Sequence, residues 1–258
     1  MENIFSRTEL LIGNTGLEKL HQSTVIIFGI GGVGSFAVEA LARAAVGHLI
    51  LVDSDDICLT NINRQLHALH STVGQAKVEV MKRRILEINP EANVETIKEF
   101  YSAANAERLL SYKLDYVVDA IDSVSSKVHL IKECLLRKIP VISSMGAGNR
   151  LTAENYRVTD ISKTSGDPLA KAMRKLLRKE GISQGVKVVS TPDLPFTPIS
   201  SEDDHSDCSP CGDTHCANSR QIPGSISFVP PVVGLLIAGE VVRDLIKNSE
   251  KEFTRTGK

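Results

Sequence analysis

The stretch Ser23-Thr24-Val25-Ile26-Ile27-Phe28-Gly29-Ile30-Gly31-Gly32-Val33-Gly34 decides the fold. Its first half is a continuous apolar run, the signature of a short strand buried on both faces. Its second half is G-x-G-x-x-G, followed by a helical stretch through Ala45 and by a second apolar run, His48-Leu49-Ile50-Leu51-Val52-Asp53. Strand, helix and strand in this order form a unit whose crossover is expected to be right-handed. Gly29, Gly31, Gly32 and Gly34 permit a tight turn and let backbone approach a phosphate, while the helix N-terminus supplies unpaired N–H donors and the positive end of its dipole. Asp53 lies 19 residues after Gly34, where a carboxylate can accept hydrogen bonds from ribose hydroxyls. These residues predict an adenine-nucleotide site, the alternative being a glycine turn kept for packing. The loop does not distinguish NAD from ATP.

Outward from this unit the alternation continues. Lys77 to Ile88 is an amphipathic helix stopped by Asn89-Pro90. Val94 to Phe100 alternates like a strand, Asn105 to Leu110 is helical, and Tyr116 to Ala120 is a further buried strand. A helix from Lys127 to Arg137 and a strand from Val141 to Ser144 follow. Before the glycine loop, Arg7 to Leu20 reads as short helices split by Gly13 and Gly16. After Gly148 the character changes to a basic amphipathic helix over Leu169 to Arg178 and then a long loop. The chain closes with a strand over Ser225 to Val229 and an apolar helix over Val232 to Ile246, with Pro231 suited to its first turn. The predicted fold class is α/β: a doubly wound, mostly parallel Rossmann-like sheet with helices on both faces, plus a C-terminal helical and loop extension. One domain is expected over 1–248, with a nucleotide-binding core at about 20–148, a substrate-facing segment at about 149–223, a closing strand and helix at 224–248 and a polar tail at 249–258.

Bulk properties narrow the setting. The 258 residues, 42% apolar and 24% charged, suit one sizeable α/β domain. A net charge of −1 provides no global field toward nucleic acid or membrane, so any basic surface must be local. The first residues lack a basic and apolar leader pattern. The longest apolar stretch, Val232 to Ile246, is too short and too interrupted by Glu240, Arg243 and Asp244 to span a bilayer. A cytoplasmic location and no membrane contact are expected.

The residues after Asp53 choose the nucleotide. They read Asp53-Ser54-Asp55, then Asn61-Ile62-Asn63-Arg64-Gln65, then Gly74-Gln75-Ala76-Lys77, and a later strand carries Asp119-Ala120-Ile121-Asp122. This ordered set resembles the ThiF-type superfamily of adenylating enzymes, relatives of ubiquitin-activating enzymes, over residues 7 to about 148 and again at the terminal helix. The resemblance implies ATP with Mg²⁺. Arg64 and Lys77 would grip phosphates, Asn61 and Gln65 would help to position them, Asp53 and Asp55 would serve the nucleotide, and Asp122 would bind the Mg²⁺ carried by ATP. Arg7 matches an early arginine that reaches across a dimer to the partner's phosphates. Arg7, Arg64, Lys77 and Asp122 are thus the catalytic candidates. Carboxylate attack at the α-phosphorus builds negative charge that fixed cations must meet. Taken singly, Arg64 and Lys77 read as solvated charges, Asp122 as a helix cap and Arg7 as a terminal charge.

The second half narrows the substrate. Met145 to Arg150, Thr159 to Thr164, Asp167 to Lys171 with Arg174, and Gly224 to Pro231 together resemble the tRNA threonylcarbamoyladenosine dehydratase family over nearly the whole chain. That resemblance implies ATP-driven activation of the threonyl carboxylate on a modified adenosine in tRNA, followed by cyclisation with loss of AMP. A monovalent cation is a further candidate cofactor. Lys171, Arg174, Lys175 and Arg178 form a basic stripe, read either as tRNA contacts or as a solvated helix face. A homodimer is expected from Arg7 and the apolar final helix. Cys208, Cys211 and Cys216, with His205 and His215 nearby, admit structural zinc, a thioester-forming thiol, or redox-sensitive or incidental thiols. An adenylating enzyme for a ubiquitin-like sulfur carrier protein is the alternative, with a sulfur-transfer or carrier protein as partner. It is weakened by the missing second C-x-x-C. An NAD-dependent oxidoreductase is the third reading and leaves Asn61 to Gln65 and Lys77 unexplained.

Overall fold

The computed structural model describes residues 4–199 and 223–247. Seven strands form one sheet in the order β3-β2-β1-β4-β5-β7-β6. The strands are β1 (Thr24–Phe28), β2 (His48–Val52), β3 (Asn93–Ile97), β4 (Tyr116–Asp119), β5 (Val141–Ser144), β6 (Arg157–Asp160) and β7 (Lys187–Ser190). All neighbouring pairs are parallel except β6 with β7. The central β1 is apolar throughout because its neighbours and two helical layers cover it; Val25 to Phe28 are fully buried.

The helices are α1 (Ser6–His21), α2 (Gly34–Arg43), α3 (Lys77–Ile88), α4 (Ala106–Leu109), α5 (Val124–Arg137), α6 (Pro168–Lys179) and α7 (Val229–Ile246). One layer gathers Leu41, Met81, Ile85, Val233, Ile237 and Val241 over one sheet face, and the other packs Leu109, Leu130 and Cys134 over the opposite face. Alternate residues of β1 serve each: Val25 and Ile27 the first, Ile26 and Phe28 the second. The doubly wound sheet is as the alternation predicts.

Four local expectations change. Gly13, at φ 67° and ψ 170°, kinks α1, but Gly16 packs inside the helix against Ile12 and breaks nothing. No strand forms over Ser225 to Val229. Pro230 and Pro231 occupy the first turn of α7, and their fixed φ draws Val229 into that helix. The strands β6 and β7 were not anticipated and close the sheet in its second half. Finally, α7 spends its apolar surface inside the chain: Gly234 lets it approach α2 so closely that a Cβ there would lie 2.3 Å from the Val33 carbonyl oxygen. The apolar character of the last helix therefore gives no reason for a dimer. Among the described residues no helix is long and apolar enough to cross a membrane.

One anchor fixes the second half to the first. Asp167 is buried at the N-cap of α6, where its Oδ1 accepts hydrogen bonds from the Leu169 and Ala170 amides. Its Oδ2 accepts from the Gly146 amide at 2.9 Å, in the segment after β5, and from Ser190 Oγ of β7. A single carboxylate therefore ties the start of α6 to two strand ends.

Candidate active site

The order 3-2-1-4 reverses direction at β1, so the loops after β1 and β4 diverge at the carboxyl ends of the strands and leave a crevice. A cleft of about 310 Å³ lies there, within the range of small-molecule sites. Gly29, Gly31, Gly32, Asp53, Asp55, Asn61, Arg64, Gln65, Lys77 and Asp122 all line it. Residues spread over 94 positions of sequence thus meet in one place.

The glycines act in different ways. Gly29 has φ +86°, and a Cβ on it would lie 2.5 Å from the Ala120 carbonyl oxygen. Gly34 does not line the cleft; a Cβ on it would lie 1.8 Å from the Gly29 carbonyl oxygen. It lets α2 begin directly under the loop. Gly32 approaches Pro230 of α7 and Arg64, so the loop is also wedged from the side of the last helix.

Asp53 braces the loop as well as facing the cleft. Its Oδ2 accepts from the Ile30 amide at 2.6 Å and its Oδ1 from the Asp55 amide at 2.9 Å. Each oxygen keeps a second lone pair, so the expected ribose contact remains compatible with this bracing. Burial holds the Asp53 carboxyl above its ordinary pKa against the opposing pull of Lys77. The Lys77 ammonium, buried at the start of α3, donates to Asp55 Oδ2 at 2.7 Å and stands 3.9 Å from Asp53 Oδ1. Arg64 donates through Nη1 to the Thr60 carbonyl and to Asn63 Oδ1, both at 2.9 Å. Asn61 accepts from the Cys58 amide at 3.1 Å and so closes the short 3₁₀ turn Leu59–Asn61 that presents Arg64. Gln65 is buried, and its Oε1 meets no hydrogen-bond partner among the described residues. Asp122 is exposed at the mouth, and the N-cap of α5 is Ser123, so Asp122 does not serve as the cap.

The donor set fits Mg²⁺ arriving with a nucleotide. Mg²⁺ is held through one or two carboxylates plus substrate phosphates rather than by an all-protein cage. Asp122 would supply one such carboxylate, and no group of three or more His, Cys, Asp or Glu suited to a metal occurs among the described residues. The positive charges of Lys77 and Arg64 on the other wall suit an anion.

Glu99, Phe100 and Tyr101 after β3 also line the cleft and were not singled out by sequence; Ala147, Gly148, Gly224 and Ser225, singled out only as parts of longer motifs, line it too. For Glu99 to Tyr101 the position just past the carboxyl end of β3 was the available signal. His67 was missed too. It is 2% exposed, and neither ring nitrogen finds a hydrogen-bond partner among the described residues. Burial and the charge of Lys77 push it down to about 4, so its ring is neutral near pH 7.

Other expected residues lie apart from the cleft. Arg7 is exposed on α1 and does not line it. Lys171, Lys175 and Arg178 are exposed along α6, whereas Arg174 is half-buried and donates to the carbonyl and hydroxyl oxygens of Thr164. The Cys208, Cys211 and Cys216 cluster, with His205 and His215, falls outside the described residues.

Known proteins agree with this geometry. The ThiF family profile matches residues 5–257. The tRNA threonylcarbamoyladenosine dehydratase of Bacillus subtilis is 51% identical over 246 residues, covering 95% of this chain and 96% of that protein. The enzyme of the same name from Haemophilus influenzae is 41% identical over 90% of this chain and 88% of its own length. Molybdopterin-synthase adenylyltransferase of Escherichia coli is 32% identical over 65% of each chain. The crystal structure of the E. coli tRNA N6-threonylcarbamoyladenosine dehydratase in complex with ATP superposes with a TM-score of 0.83 at 33% identity, covering 96% of both chains. Its AMP complex superposes equally well. The chain belongs to the ThiF family and, within it, to the tRNA threonylcarbamoyladenosine dehydratases.

Proposed function

We infer that this protein is an ATP-dependent tRNA threonylcarbamoyladenosine dehydratase that adenylates the threonyl carboxylate of the modified adenosine. The observation that carries this reading is the meeting of Lys77, Arg64 and Asp122 around the glycine loop in one cleft. A carboxylate oxygen of the substrate attacks the α-phosphorus, the bond to the bridging oxygen breaks, and pyrophosphate leaves. A nitrogen or oxygen of the carbamoyl-linked group then attacks the activated acyl carbon, loses its proton and expels AMP. The modified side group closes into a ring and is formally one water lighter.

The chain's residues supply fixed charge rather than covalent chemistry. Lys77 and Arg64 meet the charge that grows on the phosphate oxygens, already oriented by Asp55 and by Thr60 and Asn63. Asp53 holds the loop closed and offers its remaining lone pairs to the ribose, while Asn61 and Gln65 set the phosphate tail. Asp122 would hold the Mg²⁺ that arrives with ATP, and the ion would supply positive charge against the leaving phosphates.

The exposed Lys171, Lys175 and Arg178 of α6 meet the tRNA backbone, and Arg174 braces the neighbouring Thr164 loop. Homodimerisation would draw on α1, where Leu10 and Leu11 are 89% and 77% exposed beside Arg7, and would carry Arg7 to a second protomer's phosphates. A cytoplasmic location accords with a tRNA substrate. The deciding experiment incubates the protein with ATP and either tRNA bearing threonylcarbamoyladenosine or a ubiquitin-like sulfur carrier. AMP, pyrophosphate and a lighter tRNA are expected from the first mixture alone. AMP formation only with the carrier would overturn the reading, as would NAD binding without adenylation. A monomer with full activity would remove the role of Arg7.

A further inference from the structure

Beneath the cleft lies an ion pair with no access to solvent. Lys127, on the first turns of α5, and Asp119, the last residue of β4, are both 0% exposed. Burying two charges is costly and is offset only by close pairing and full hydrogen bonding. Both charged groups are hydrogen-bonded more than once here. Lys127 Nζ donates to Asp119 Oδ1 at 3.1 Å and to the Ile121 carbonyl oxygen at 2.9 Å. Asp119 Oδ1 also accepts from the Ile121 amide at 3.1 Å, and Oδ2 accepts from Ser143 Oγ of β5 at 2.6 Å. Residue 121 is therefore clasped at both its amide and its carbonyl. The preceding residue is held by another element: the Ala120 amide donates to the Phe28 carbonyl oxygen at 2.8 Å, and the Ala120 carbonyl lies where a Cβ on Gly29 would fall. Ala120, Ile121 and Asp122 all line the cleft.

Apolar residues often replace a buried ion pair with little loss of stability, and what this pair adds beyond packing is its hold on the backbone of residue 121. We propose that Lys127 is a positioning residue for adenylation, its buried pair with Asp119 clamping the Ala120–Asp122 turn so that the Asp122 carboxylate is fixed toward the metal-bound phosphates. The proposal rests on the adenylation reading above and assigns a task to a lysine that touches no nucleotide. Without the clamp, Asp122 would lose its fixed place, and misplacement of this kind weakens metal binding and slows the reaction together.

Three variants test this. In Lys127→Met with Asp119→Leu, both charges are exchanged for apolar groups, so the fold is retained while the clamp on residue 121 is lost. Ser143→Ala removes a single hydrogen bond from Asp119 and serves as the mild variant. Asp122→Asn measures the reading on which the proposal depends. For the double variant we expect a melting temperature close to that of the parent and faster amide exchange of a peptide spanning 117–124. We also expect an approximately tenfold weaker affinity for Mn²⁺ measured by titration in the presence of a non-hydrolysable ATP analogue. The analogue's own affinity without metal should change less than twofold, and kcat for pyrophosphate release should fall about tenfold. Ser143→Ala should show the same pattern at about threefold. Parent-like exchange, Mn²⁺ affinity and kcat in either variant would overturn the proposal, as would equal weakening of metal-free nucleotide binding. A parent-like Asp122→Asn enzyme would instead remove the adenylation role of Asp122, a result separable from failure of the clamp.

Discussion

The nucleotide cleft and the outer face of α6 both carry lysine and arginine, and they treat them oppositely. In the cleft, Lys77 is buried between two carboxylates and Arg64 is held by its own turn. On α6, Lys171, Lys175 and Arg178 stand in solvent, and only Arg174 is tied down. On the proposed function, the difference would follow from the tasks. Charge that develops on a reacting phosphorus is met best by cations that need no reorganisation. A polyanion backbone is held by many weak, salt-sensitive contacts whose individual geometry matters little. Prearranged cations should fail singly and severely, whereas solvated cations should fail gradually and together.

The sharpest break of this contrast is Lys77→Met. Loss of one prearranged cation should lower kcat/KM for pyrophosphate release by about 10²–10³-fold, measured at saturating tRNA. A loss of only a few-fold would place Lys77 with the solvated class. Gly34→Ala comes next. Its Cβ would lie 1.8 Å from the Gly29 carbonyl oxygen, and such overpacking costs about 3 kcal/mol, read as denaturant midpoint at unchanged slope. The same exchange at Gly181, where nothing lies within 4 Å, meets no clash and suffers only from its positive φ.

His67 allows a third test through pH. The unfolded ring gains a proton near 6.5, whereas the folded ring resists it down to about 4. Between these values the unfolded chain binds more protons, so stability falls as pH falls. The span corresponds to about 3 kcal/mol at 1.36 kcal/mol per unit. His67→Leu should flatten the stability curve by that order between pH 6.5 and 4, and an unchanged curve would show that the ring is protonated in place. The smallest effect is expected on α6. Changing Lys171, Lys175 and Arg178 together to Ala should weaken tRNA binding roughly tenfold near physiological salt and lower the salt slope by about 2, with ATP affinity unchanged. Equal tRNA affinity at every salt concentration would return the stripe to an ordinary solvated face.

The same contrast explains what could be read from sequence. Buried strands announce themselves by composition, so β1, β2 and β5 were legible to within a residue. Of the eleven residues expected at the nucleotide site from the ordered motifs, ten line the cleft and Gly34 does not, because spacing along an alternating chain fixes which strand end each occupies, whereas Gly34 sits beneath the loop at the start of α2. By contrast, β6 and β7 are four residues each, and Arg157-Val158-Thr159-Asp160 is half-exposed and polar at the sheet edge. So short a polar run carries little periodic signal. Ser225 to Val229 reads as a strand because Ser225-Ile226-Ser227-Phe228 alternates polar and apolar residues, whereas the helix that the proline pair opens begins already at Val229. Lys127 was hidden for a different reason. On an amphipathic helix a lysine reads as solvent-facing, and only tertiary structure shows Asp119 waiting beneath it.

The Asp167 carboxylate has a kinematic consequence. It joins the first turn of α6 to Gly146, and the adjacent Ala147 and Gly148 form a wall of the cleft. On the proposed function, the helix that would meet the large substrate and the wall that would meet the small one are thereby joined through one carboxylate. A displacement of one would then tend to carry the other with it, so that the gap between the tRNA carboxylate and the α-phosphorus would vary less than the position of either. A reaction joining a macromolecule to a nucleotide depends on that gap, and a single helix cap keeps it narrow.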